Sequence, residues 1–127
     1  MKKNSPPQKF IELRDPLGHL MSKIYLAETV TSLDSIARIQ HGKKRKKYFL
    51  GAPGNCDLCS EWAIFEKYMI DGKVKDREMW VFMCEKCFKS RGVAIGWGFG
   101  QLFLREGQCK WLLVAGFQPK GGRVRST

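Results

Sequence analysis

Four cysteines carry the clearest chemistry in this chain. Cys56-Asp57-Leu58-Cys59 and Cys84-Glu85-Lys86-Cys87 are two Cys-x-x-Cys pairs with 24 residues between them. Two thiolates at that spacing bond one metal ion from a tight turn. A second such turn closes a tetrahedral four-sulfur site, the geometry Zn²⁺ favours. Zn²⁺ held by Cys56, Cys59, Cys84 and Cys87 is therefore the expected cofactor, in a structural role. Two other uses of these residues stay open. Disulfides would need an oxidising compartment, and a redox Cys-x-x-Cys would sit at a strand-to-helix junction of a βαβ pattern. An iron–sulfur cluster also takes four thiolates. No enzyme is expected. Four Cys close the coordination sphere, whereas a catalytic zinc keeps a position open. The two histidines, His19 and His41, both precede the site, and no nucleophile–base pair, paired carboxylates or phosphate loop can be named.

The residues between the Cys pairs must bring them together. Residues 62–70 are rich in aromatic and β-branched side chains, Asp71-Gly72 follows, and a second strand-like run ends at Met79-Trp80-Val81-Phe82-Met83. Asp-Gly between two such runs is a hairpin signal, because both turn residues need positive φ. The expected hairpin turns at Asp71-Gly72 and returns the chain from one Cys pair to the other.

Charge is distributed unevenly. The chain of 127 residues has a net charge of +11. Residues 56–115 hold nine Lys/Arg against eight Asp/Glu, so the flanks carry nearly all of the excess. Basic flanks beside a near-neutral core suggest a polyanion partner, most simply nucleic acid, DNA or RNA. Solubilising tails are the plainer alternative. His41-Gly42 precedes the densest run, Lys43, Lys44, Arg45, Lys46 and Lys47. Five consecutive bases repel one another and form an exposed loop able to contact phosphates. Tyr48 follows at once, placed to stack on a base, although core packing competes for it and for Phe49.

The remaining segments organise this module. Residues 1–9 read as a flexible basic arm, residues 10–117 as a single domain with its metal module at 54–92, and residues 118–127 as a flexible basic tail. Residues 10–15 suggest a short strand ended by a turn at Pro16-Leu17-Gly18. Ser32 caps an expected helix over residues 33–40, with Asp34 in its first turn. Residues 22–31 leave strand and helix both open. Residues 48–50 read as a strand, and residues 88–92 as one helical turn. Glycines at 96, 98 and 100 alternate with Trp97 and Phe99. An extended chain would put both aromatics on one face and bare backbone on the other. That backbone suits close packing on the metal module, an anion or nucleic-acid contact, or a small-molecule site. Glu106-Gly107-Gln108 reads as the turn of a second hairpin, with Cys109 a buried strand residue. The chain contains no apolar run near the length of a transmembrane helix and no signal-peptide pattern at its start. A cytoplasmic, reducing setting is expected, with no membrane and no small-molecule substrate.

The pattern Cys-Asp-x-Cys, Asp-Gly-Lys, Trp, Met-Cys-x-x-Cys, Gly-x-Gly-x-Gly-Gln resembles small zinc-ribbon proteins of bacteriophages, plasmids and other mobile elements. The residues that carry it are Cys56, Asp57, Cys59, Asp71, Gly72, Lys73, Trp80, Met83, Cys84, Cys87, Gly96, Gly98, Gly100 and Gln101, over about residues 55–101. The resemblance implies a fold and a genetic setting more than an activity. The basic extensions and the C-terminal hairpin lie outside the pattern.

The expected fold is a small α+β domain, mostly β. It combines a zinc-ribbon-like hairpin module, a second C-terminal hairpin and one N-terminal helix. The expected function is nucleic-acid binding, regulatory in kind, through Lys43, Lys44, Arg45, Lys46, Lys47, Tyr48 and Trp97. The alternative is a zinc-stabilised module that docks on a larger host or phage machine through its Trp97/Phe99 surface.

Overall fold

The computed structural model describes residues 8–40, 47–51, 55–59 and 67–118. They form a small α+β fold dominated by strands, in two sheets. β1 (Ile11–Arg14), β2 (Leu20–Leu26) and β6 (Ala94–Ile95) form a three-stranded antiparallel sheet in the order β1-β2-β6. β3 (Tyr48–Leu50), β4 (Tyr68–Val74), β5 (Arg77–Met83), β7 (Gly100–Gly107) and β8 (Lys110–Ala115) form the larger sheet, in the order β3-β8-β7-β4-β5. No helix among the described residues is long and apolar enough to cross a membrane.

Local sequence accounts for most of the elements. The hydroxyl of Ser32 accepts from the backbone N–H of Asp34 at 3.1 Å and starts α1 (Leu33–Gln40) where its capping chemistry places it. Leu33, Ile36 and Ala37 recur at helical spacing and are buried. The ambiguous residues 22–31 divide: β2 runs to Leu26, and a short 3-10 turn, Ala27–Thr29, follows. Pro16-Leu17-Gly18 is a turn, with Gly18 at φ +89°. Residues 85–91 make a full short helix, α2 (Glu85–Arg91), longer than the single turn expected. Its Phe88 is completely buried in the one core shared with Tyr25, Leu33, Ile36, Ile70, Met83 and Leu102. Gln8, which falls within the expected arm, is buried. Its amide donates to the Thr29 carbonyl at 2.9 Å and accepts from the Thr31 N–H at 3.0 Å.

Three expectations are corrected. First, Asp71-Gly72 is not a turn. Both residues lie within β4, with Asp71 opposite Phe82 and Gly72 opposite Val81, and the hairpin turns at Lys75-Asp76. The glycine serves close approach instead: a Cβ on Gly72 would lie 2.8 Å from the Cα of Gly100 and 2.9 Å from the Phe99 carbonyl. β4 and β7 can come this close only with bare backbone at this point. Second, residues 96–100 are not extended. Gly96 and Gly100 bridge across a turn at 97–99, and Gly98 at φ +93° takes the left-handed position that its missing Cβ permits. The backbone packing foreseen for these glycines is present, between Gly100 and Gly72. Third, Cys109 is not a buried strand residue. It is exposed in the β7–β8 turn, one residue before β8 begins.

Candidate metal centre and basic surface

The β4–β5 hairpin carries the chain back to Cys84. The Phe88 N–H donates to the Cys84 carbonyl at 2.9 Å, closing the first turn of α2 and stacking Cys87 one turn from Cys84. The other Cys pair is fixed against the free edge of β5. The Asp57 N–H donates to the Phe82 carbonyl at 2.9 Å, and the Phe82 N–H donates to the Asp57 carboxylate at 2.8 Å. One residue thus occupies both ladder positions at that point on the strand edge. It sets Cys56 and Cys59 beside the end of β5, where Cys84 follows.

The result is a compact sulfur cluster. The Sγ atoms of Cys56, Cys59, Cys84 and Cys87 all lie within 4.8 Å of one another, with Cys59 at 3.6 Å from Cys84 and 3.2 Å from Cys87. All four are free thiols, so the disulfide alternative is not realised in this geometry. A metal with bonds of about 2.3 Å to four tetrahedral sulfurs places them about 3.8 Å apart. The cluster fits one such ion. Cys56 is buried and the other three are half-buried.

Electrostatics also suit a cation. The backbone N–H groups of Leu58 and Cys84 both point at the Cys56 sulfur, at 3.4 Å each. Burial raises the Cys56 thiol, but the N–H donors of Cys84, Leu58 and Cys59 outweigh it and hold that thiol below its usual range. Cys87 is pushed well up, first by burial and then by its hydrogen bonds to the neighbouring thiols. The Cys59–Cys87 hydrogen bond lowers Cys59, yet burial and the contacts with Cys84 and Cys56 leave it raised. The N–H donors thus favour the thiolate form at Cys56, while burial and the neighbouring thiols favour the protonated form at Cys59 and Cys87, whose protons a bound divalent ion would displace. Across β5 from Asp57, the half-buried carboxyl of Asp71, opposite Phe82, is raised by burial and further by the charge of Asp57.

Lys43, Lys44, Arg45 and Lys46 lie outside the described residues. Lys47 is exposed, and its carbonyl accepts from the Leu113 N–H at 2.9 Å, which ties the end of the basic run to β8. Tyr48 opens β3 at the edge of the sheet, 36% exposed, with the Lys110 ammonium 4.5 Å from its ring centre. Phe49 turns inward, 5.7 Å from the ring of Phe82 and 6.1 Å from that of Phe103. Trp97 is elsewhere: half-buried in the β6–β7 turn, its backbone N–H donating to the Ser22 hydroxyl at 3.0 Å. Tyr48 and Trp97 therefore belong to different elements.

Sequence reasoning missed two residues here. Lys110 is distant in sequence from Tyr48 and meets it only through the β3–β8 pairing, Tyr48 with Leu112 and Leu50 with Lys110. Asp57 carried a usable signal: a short acceptor side chain directly after the first Cys, able to hydrogen-bond a neighbouring backbone. Comparisons of the chain with protein-family models, curated proteins and solved structures find no match.

Proposed function

We propose that this chain is a zinc-stabilised, non-enzymatic nucleic-acid-binding protein. The single observation that carries the reading is the junction of Lys47 and Tyr48. The five-base run ends on an exposed aromatic ring that already faces a cation, Lys110, at 4.5 Å. Cations to neutralise phosphates beside an aromatic face are what a nucleic-acid strand engages. Zinc is the metal that the four-Cys set suits best, and its four thiolates leave no open position for a substrate. A zinc-ribbon assignment and a mobile-element setting belong to this proposal and rest on the motif resemblance over residues 55–101. The test is replacement of Lys43, Lys44, Arg45, Lys46 and Lys47 by Ala. Oligonucleotide binding is expected to be lost with metal content unchanged; retained binding would count against the assignment.

One observation favours a protein partner as a second reading. The β1–β2 hairpin exposes Ile11 (52%), Leu17 (82%) and Leu20 (44%), apolar groups that the three-stranded sheet leaves unburied. Under that reading, Ile11→Lys and Leu20→Lys would abolish partner capture while the five-Ala variant keeps it.

A further inference from the structure

The cross-strand register of the large sheet creates a surface row that the sequence motifs do not name. Lys73 on β4 is the register partner of Trp80 on β5. On its other side, the Lys73 N–H donates to the Phe99 carbonyl at 2.9 Å, and the Lys73 ammonium lies 5.6 Å from the centre of the Phe99 ring. Residues directly opposite in antiparallel strands share a face. Trp80 on β5, Lys73 on β4 and Phe99, the last residue of the turn before β7, therefore form an aromatic–cation–aromatic row.

The row is accessible and positively flanked. Trp80 is 45% and Met79 46% exposed, Lys73 is exposed and Phe99 half-buried. Beside it, residues 73–80 line an open groove of about 550 Å³. The groove carries Lys73, Lys75 and Arg77 against Asp76 and Glu78. Asp76 is already neutralised by Arg91 at 2.8 Å and by Arg77 at 3.9 Å. With Asp76 held by these two arginines, Lys75 extends the cationic edge along the hairpin.

Resting on the nucleic-acid reading above, we infer that this row is the base-contacting part of the site and that its ligand is single-stranded nucleic acid. One step across the β5–β4 ladder and a second across the Lys73–Phe99 backbone hydrogen bond put the aromatic positions about 10 Å apart, one base on each ring with Lys73 beneath the linking phosphate. In a duplex the base faces are stacked on one another, so aromatic side chains can cover them only where a strand is open. An uncharged protein surface would leave Lys73 and Lys75 to be desolvated without anions to pair them.

The test measures binding of the zinc-loaded full chain to a labelled oligo-dT strand and to its duplex with oligo-dA, at fixed salt. The wild-type chain is expected to prefer the single strand. Trp80→Ala should weaken single-strand binding about ten-fold, the loss of one stacked base, with Trp80→Phe restoring most of it and duplex binding hardly moved. Lys73→Ala should weaken it and reduce the salt slope by about one phosphate. Trp80 is partly exposed, so metal content and melting should be unchanged in its variants. If the wild-type chain binds the single strand and both Trp80→Ala and Lys73→Ala bind it equally well, the inference is overturned while the nucleic-acid reading stands. A duplex preference, weakened equally by these changes, also overturns it. If the wild-type chain binds neither oligonucleotide at low salt, the nucleic-acid reading falls and the row becomes a surface for a protein partner.

Discussion

The rings of Phe49 and Phe82 lie 5.7 Å apart although β3 and β5 are the two edges of the five-stranded sheet. In a flat sheet four inter-strand steps would separate those edges by about 19 Å. The sheet is therefore curled, with Phe49, Phe82 and Phe103 closing its inner face. The chain that leaves β3 reaches Asp57 within a few residues, and Asp57 pairs with Phe82. The first Cys pair is thus the latch that joins one edge of the curl to the other, and the four-Cys cluster sets the latch against α2.

Metal removal should open this closure. Structural zinc sites contribute apparent energies of about 10 kcal/mol or more, comparable to the whole stability of a small domain. Cys59→Ser, or a strong chelator, is expected to release the metal and abolish the cooperative melt followed by circular dichroism. An unchanged melt in Cys59→Ser would refute a structural role for the ion.

Asp57→Ala leaves the Phe82 N–H without its acceptor on the strand edge. The expected cost is about 1–3 kcal/mol, with metal affinity reduced about ten-fold because Cys56 and Cys59 lose their anchor. Asp57→Asn keeps an acceptor oxygen and should recover most of both. Chemical denaturation and a competitive metal titration check the pair; equal losses in the two variants would argue that the charge matters rather than the hydrogen bond.

Gly72 separates the observed register from the expected one. At a hairpin turn, Gly72→Asn would be tolerated. In β4, any side chain meets the backbone of Gly100 and Phe99 within 3 Å, so Gly72→Ala and Gly72→Asn should each cost about 1–3 kcal/mol. Melting temperatures of the two variants decide it, and a neutral Gly72→Asn would contradict the strand assignment.

Asp71 gives a pH dependence of known sign. Its carboxyl is raised in the folded chain by burial and by Asp57. A raised group favours folding while protonated, and that contribution is lost as pH rises through the folded value. Asp71→Asn should therefore gain stability over wild type as pH climbs from the carboxylate range to neutrality. A difference that shrinks over that range would mean that a cation pairs with Asp71.

Much of this was legible in the residues. The Cys spacing pointed to a four-sulfur cluster, the Ser32 cap and the Leu33/Ile36/Ala37 spacing located α1, and the runs around Glu106-Gly107-Gln108 located the second hairpin. The failures share a cause. Asp71-Gly72 and the glycines at 96–100 were read by local turn and alternation rules. Their conformations are set instead by which strands come together, and by the absence of a Cβ where Gly72 meets Gly100. Cys109 was one residue from correct, but a one-residue shift at a turn moves a side chain from core to solvent. The Trp80–Lys73–Phe99 row and the Tyr48–Lys110 pair were invisible for a related reason: each depends on long-range register.

The most direct test of the central claim is binding of the zinc-loaded wild-type chain to short labelled oligonucleotides across a range of salt. Binding that is tight at low salt and falls with a log–log slope of about −3.5 on a single strand, or about −4 to −5 on a duplex, the values for the five-base run fully engaged on phosphates, is the expected result. Absence of binding at the lowest salt, in protein shown to carry its metal, would contradict it.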